Sequence, residues 1–253
     1  MGPRTPLTFY AEPLPEVDIS ELQGKLIVIE GPDAVGRTTQ VARLRSWLEQ
    51  QGHAVIDTGM ACSALAGKGI QQAKDGNTFG PITMTLFYAT DFADRLENEI
   101  IPALRAGFVV ITDRYIFSLM ARASARGEDA RWIEQVAGFA LAPHVVYYMR
   151  AEVQDLVSRV VVGRGAFDYW ESGMDVALGK DMYSSFVRYQ SRLIRALDRM
   201  AKKYDFEIVD ASRSPDKIFR DLQKSIKRLF SDRRRRLRRS VHVPHSSTRS
   251  PRP

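Results

Sequence analysis

The stretch Lys25-Leu-Ile-Val-Ile-Glu30-Gly31-Pro-Asp-Ala-Val-Gly36-Arg37-Thr38 decides the fold. Lys25 to Glu30 is a short, largely apolar run that ends in Gly31, as a buried parallel strand should. From Thr38 to Gln51, residues Val41, Leu44, Trp47 and Leu48 recur at helical spacing. The order is strand, glycine-containing loop, helix. The loop reads G-x-x-x-x-G-R-T, which departs from G-x-x-x-x-G-K-[ST] only in its arginine. A phosphate cradle needs glycines that let backbone N–H groups turn inward, a helix N-terminus that favours anions, a long cation and a hydroxyl for Mg²⁺. Gly31 and Gly36 supply the turn, Arg37 the cation and Thr38 the hydroxyl. Pro32, Asp33, Ala34 and Val35 lie between the glycines, and Thr39 follows in the first helical turn. Lysine is a compact charge, whereas the planar arginine fork is bulkier and prefers bidentate contacts, so the exchange is not conservative.

Outward from the loop, further β-rich runs occur at His53 to Asp57, Phe108 to Thr112, His144 to Met149 and Phe206 to Val209, each separated by long helical stretches. Five short strands alternating with helices predict an α/β fold, a five-stranded parallel sheet with helices on both faces. Pro81 to Leu104, Lys180 to Lys203 and Pro215 to Phe230 read as helices.

The chain has 253 residues, with 37 Lys plus Arg against 30 Asp plus Glu, a formal charge of +7. Residues 233–253 hold eight arginines and no acid, so without them the balance is 29 against 30, or −1. The body is nearly neutral and the charge belongs to the tail. Residues 1–22, with Pro3, Pro6, Pro13 and Pro15, read as an N-terminal arm, residues 23–231 as one domain, and residues 232–253 as an Arg-rich disordered tail. Such a tail is a solvated terminus, or an arm that attaches weakly to nucleic acid or an anionic surface. No apolar run approaches the roughly 18 to 20 residues that span a bilayer, and the N-terminus lacks an apolar signal region, so the expectation is a cytoplasmic protein. A single cysteine, Cys62, excludes an intrachain disulfide, and no role is assigned to it.

Three segments, Ile29 to Gln40 (IEGPDAVGRTTQ), Ile100 to Ser118 (IIPALRAGFVVITDRYIFS) and Val209 to Ser212 (VDAS), resemble the thymidylate kinase family, ATP-dependent enzymes that phosphorylate dTMP to dTDP. The similarity runs from about Gly24 to Leu229, and the strand ending in Asp113-Arg114-Tyr115 is its most specific mark. The resemblance implies the P-loop NTPase three-layer sandwich with a small lid at about residues 159–175, and ATP and Mg²⁺ as cofactors. It implies that Asp113 and Thr38 hold the metal, that Arg37, Asp113, Arg159 and Arg164 serve transfer, and that Arg114, with Tyr115 beside it, grips the phosphate of a nucleoside monophosphate. Asp33 would meet the acceptor's sugar hydroxyl, and Tyr88 would stack its base. A homodimer packed through helices beside the Asp113 strand is also implied, with Ile116, Leu119 and Met120 as candidate contacts or else as core.

Four functional positions depart from the family pattern. Phe92 stands where an arginine reads the base edge, and Phe offers no hydrogen bond there. Arg95, one turn later, reads rather as a solvated helix charge. Thr58-Gly59-Met60 replaces a segment that carries a cation and a carboxylate. Tyr169 replaces the second lid arginine, and the loop position that holds the catalytic arginine in some relatives is Ala34. The sequence therefore carries two readings: a nucleoside monophosphate kinase, most directly for dTMP, and a catalytically weak or inactive nucleotide-binding homologue that acts through partners. Phosphorylation of an uncharged nucleoside fits less well, because Arg114 would then have no acceptor phosphate to hold.

Overall fold

The computed structural model describes residues 7–240 apart from positions 77 and 79, with side chains as far as Ser231. Five strands, β1 (Lys25–Glu30), β2 (Val55–Gly59), β3 (Val109–Asp113), β4 (Val145–Arg150) and β5 (Glu207–Asp210), form one sheet in the order β2-β3-β1-β4-β5. Every pairing is parallel. The chain is thus a P-loop NTPase three-layer sandwich.

Alternation along the strands divides the core in two. Leu26, Val28, Val110, Val146 and Tyr148 face one layer. That layer contains α3 (Pro81–Arg95), α4 (Ile101–Arg105), α5 (Ile116–Arg126), α6 (Ala130–Val136) and most of α8 (Met182–Lys203). Ile27, Ile29, Val109, Ile111, Tyr147 and Met149 face α1 (Arg37–Gln50), α7 (Val153–Gly163) and α9 (Pro215–Ser240). The short helix α2 (Gly67–Asp75) follows β2. Between α3 and α4 a π-turn spans Leu96–Ile100 and precedes Pro102, whose missing N–H cannot continue an α-helical ladder.

Strands two to five each begin and end one or two residues later than the apolar runs predict. The cause is chemical. Their last residues, Gly59, Asp113, Arg150 and Asp210, are small or polar, and apolar periodicity does not register them. Ligands of open parallel sheets bind beyond these carboxyl ends, so the polarity marks the working edge.

Residues 7–22 lie against the body. Leu7 and Leu22 are buried, Phe9 bridges antiparallel to Leu141, and Tyr10 N–H donates to the Ala140 carbonyl at 3.0 Å. At the other end α9 continues through Ser240, so the expected boundary at residue 232 falls inside a helix; the remainder of the tail, residues 241–253, lies outside the described residues. Among the described residues no helix is long and apolar enough to cross a membrane. Ile116, Leu119 and Met120 are buried within the chain, which selects the core over the contact reading of the two given for them.

Candidate active site

The loop between β1 and α1 is shaped by backbone that few residues tolerate. Gly36 caps α1 at a φ of 93°. Gly31 has a φ of 155°, and a Cβ there would lie 2.7 Å from the Met149 carbonyl and 2.9 Å from Val35 Cγ1. Ala34 takes a left-handed φ of 60° without glycine's freedom. The loop therefore turns tightly over the end of β4 and presents the N-terminus of α1.

Arg37 does not extend away from this loop. Its Nε donates to Asp113 Oδ1 at 2.8 Å, and its Nη1 donates to the Gly31 carbonyl at 2.6 Å and to the Pro32 carbonyl. The Thr38 hydroxyl donates to Asp113 Oδ2 at 2.7 Å. Parallel pairing of β1 with β3, which sets Ile29 opposite Asp113, brings this carboxylate under the loop. Burial works against ionisation of Asp113, but Arg37 and the Thr38 hydrogen bond outweigh it and hold the carboxyl below the usual range. Among the described residues no group of three or more His, Cys, Asp or Glu gathers as a metal cage. A hydroxyl and one carboxylate at a phosphate loop nevertheless fit Mg²⁺, which keeps several waters and takes few protein oxygens.

The second cluster centres on Asp33, only 1% exposed. Its Oδ1 accepts from Arg114 Nη2 and, at 2.6 Å, from Arg122 Nη2. Its Oδ2 accepts from Gln190 Nε2 at 2.9 Å. Burial opposes the charge, yet Arg122, Arg114 and Arg37 together hold Asp33 far below the ordinary carboxylate range. The same crowding acts on the cations: burial, then Arg37, lowers the Arg114 pKa to about 10. Arg114 reaches this place because its backbone is left-handed, at a φ of 76°, a strained conformation fixed by the Arg114 N–H bond to the Ile29 carbonyl. Behind it the buried Glu30 accepts from the Tyr115 N–H at 2.8 Å, the Ser118 N–H at 3.1 Å and the Ser118 hydroxyl at 2.6 Å, capping α5 from another strand. Burial raises the Glu30 pKa.

Both clusters open into one cleft of about 730 Å³ at the carboxyl ends of β1, β2 and β3. Tyr88, half-buried on α3, lines the cleft and a neighbouring slot of about 20 Å³; burial raises its phenol pKa. Phe92 lines neither. It is 3% exposed and packs edge-on against Tyr115 at 4.9 Å, with Phe139 beyond it at 5.6 Å. Tyr115 is equally internal, its hydroxyl donating to the Leu141 carbonyl at 2.9 Å. The expected acceptor contacts of Phe92 and Tyr115 are therefore corrected to core packing. Arg95 is corrected too. It is not a solvated charge but a buried partner of Asp91, Nε to Oδ2 at 3.1 Å. That aspartate accepts from the Ala61 and Ser63 N–H groups and so pins the segment after β2.

On the lid side, Arg159 belongs to α7 and donates to the carbonyls of Val35 and Ala211, bracing the loop rather than pointing into the cleft. Arg164 lines the cleft, half-exposed, with Nη1 donating to Glu171 at 2.6 Å. Tyr169 is exposed, and its ring meets the buried Trp170. Trp170 Nε1 donates to the Lys74 carbonyl at 3.1 Å, which ties the lid to α2.

Arg122, Gln190 and Glu30 were not singled out from the sequence. Arg122 and Gln190 stand inside amphipathic helices 89 and 157 residues from Asp33, where a polar residue resembles any other surface position. Only Glu30 carried a signal, an acid closing an apolar strand.

A phosphate loop on a parallel sheet, an acid at the end of the adjacent strand and guanidinium groups gathered at the loop in one cleft are the arrangement of a P-loop nucleotide kinase. Residues 29–222 match the family model "Thymidylate kinase". The chain is 31% identical over 212 residues to the probable thymidylate kinase 2 of Saccharolobus solfataricus, covering 83% of this chain and 97% of that one. It is 33% identical over 220 residues to the thymidylate kinase of Bifidobacterium longum strain DJO10A, covering 82% and 100%. A probable thymidylate kinase of Thermococcus gammatolerans is 30% identical over 209 residues. The chain belongs to the thymidylate kinase family, as a divergent member.

Proposed function

We propose that the protein transfers the γ-phosphoryl group of ATP to a nucleoside monophosphate, with dTMP, the substrate that its relatives' names specify, as the first acceptor to test. The observation that carries this reading is the placement of Arg114 at the end of β3, against Asp33 and in the same cleft as the loop residues Arg37 and Thr38. A guanidinium group there gives the acceptor's phosphate a fixed place. Positioning and charge neutralisation are most of what phosphoryl transfer asks of a protein.

In this reading the loop from Gly31 to Thr39 holds the triphosphate, Arg114 the acceptor phosphate, Asp33 the sugar hydroxyl and Tyr88 the base. Thr38 and Asp113 would hold Mg²⁺, which when bound neutralises phosphate charge. Arg164 lies where lid closure would bring it toward the transferred group. Arg159 acts by bracing the loop at Val35. A homodimer would need a face other than Ile116, Leu119 and Met120, and Ile82 and Leu86, exposed one turn apart on α3, are candidates. The Arg-rich tail would attach the chain weakly to nucleic acid or an anionic surface, in a salt-dependent way.

One observation favours the second reading, a nucleotide-binding homologue with slow transfer. Arg37 directs its guanidinium to the loop's own carbonyls and to Asp113, while Tyr169 supplies no cation from the lid. The two readings separate in one experiment: γ-phosphoryl transfer from ATP to a panel of nucleoside monophosphates, alongside calorimetric binding of ATP. Turnover of dTMP supports the first reading. No turnover with any acceptor overturns it, and retained ATP binding then selects the second.

A further inference from the structure

We infer that Arg122 is a second acceptor-phosphate residue, forming with Arg114 a two-guanidinium clamp for a dianionic phosphate. This rests on the kinase reading and goes beyond it in assigning a residue of α5. Three independent features support it. First, the geometry converges: Arg114 Nη2 and Arg122 Nη2 donate to the same oxygen, Asp33 Oδ1, although the two residues come from a strand end and from the middle of a helix. Two forks aimed at one anionic oxygen are placed to share a phosphate, which offers several.

Second, Arg122 remains accessible. Its side chain is 18% exposed and Arg114's is 13%, and Arg122 lines both the large cleft and the slot beside Tyr88. It therefore stands at the junction where an acceptor's phosphate meets its nucleoside. Third, the end of β2 brings Thr58, Gly59 and Met60 to the cleft but no cation, so the charge beside Arg114 comes from Arg122. A purely structural partner for Asp33 would need no exposure to the cleft.

The test compares wild type with Arg122→Gln and Arg122→Lys, using calorimetric titration with dTMP, thymidine and ATP, and circular dichroism to check folding. The expected result is dTMP affinity about 10- to 100-fold weaker in the Gln variant, the range of one charge-assisted hydrogen bond. Thymidine and ATP affinities stay within about threefold, and Lys restores part of the dTMP loss. If the Gln variant does not fold, the Lys variant carries the test, because it keeps the charge and loses the fork; dTMP then weakens while thymidine does not. Equal weakening of dTMP and thymidine, or no weakening of either, overturns the assignment of Arg122. Wild type that binds no monophosphate more tightly than its nucleoside overturns the kinase reading itself, and the assignment of Arg122 with it.

Discussion

The guanidinium of Arg37 and the carboxylate of Asp113 meet at 2.8 Å, Nε to Oδ1, while the other carboxylate oxygen accepts the Thr38 hydroxyl at 2.7 Å. Loop cation, loop hydroxyl and strand-end acid are thus joined before any phosphate chemistry is considered. The arginine is what makes the contact tridentate, because one planar fork reaches Asp113 and the loop carbonyls of Gly31 and Pro32 together.

Replacing Arg37 with lysine should release this self-bound arrangement. A lysine ammonium is a point charge that cannot span the same acceptors, so it is freed to meet phosphate. We expect Arg37→Lys to raise kcat for ATP-dependent phosphorylation of dTMP by about tenfold, equivalent to about 1.4 kcal/mol of transition-state stabilisation. Steady-state kinetics on the purified variant checks this; a fall in kcat would show that the arginine fork itself serves transfer.

Phe92 is a packing residue despite its place on the helix that carries Tyr88. Phe92→Ala should destabilise the chain by about 3–5 kcal/mol, as removal of a buried aromatic ring does. Urea denaturation measures the loss. The affinity for thymidine should stay unchanged under conditions where the variant is folded.

Trp170 fastens the lid to α2 through one hydrogen bond to the Lys74 carbonyl. Trp170→Phe keeps most of the buried ring and removes the donor, at a cost of about 1 kcal/mol. The expected Tm decrease is about 2–4 °C. Limited proteolysis should show faster cleavage within residues 164–177, and unchanged cleavage there would mean that packing alone holds the lid.

Stability should depend on pH through the two site aspartates. Asp33 and Asp113 are held below their usual range in the folded chain, so their contribution is present above the unfolded value of about 3.9 and is lost as pH falls through the folded values. Glu30, raised by burial, acts in the opposite sense and favours the folded state toward acid. Thermal melts from neutral pH down to about pH 3 should therefore show a loss below about pH 4 that is shallower in Asp33→Asn.

Truncation after Ser231 should leave the body intact, because Ile218, Leu222, Ile226 and Leu229, the core residues among the described side chains of α9, all precede it. Tm and ATP affinity should match the full chain, while adsorption of the full chain to a polyanion resin at low salt should disappear. A truncated chain that fails to bind ATP would show that the arginine-bearing end of α9 contributes to the body.

The strand–loop–helix unit at Lys25 to Gln51 and the parallel sheet are legible in local pattern, while Asp113 and Arg114 stand out through their resemblance to a family's strand end. An apolar run, two glycines and a helix start are contiguous, and their physics is local. Tertiary structure decided where the side chains point. Phe92 and Tyr115 turned into the core, Arg95 found Asp91, and Arg159 reached back to the loop carbonyls. It also brought Arg122 and Gln190 to Asp33 across most of the chain. Periodicity reports which face of a helix is buried, but not which distant charge a buried guanidinium meets; that depends on how α5 and α8 pack against the end of β1.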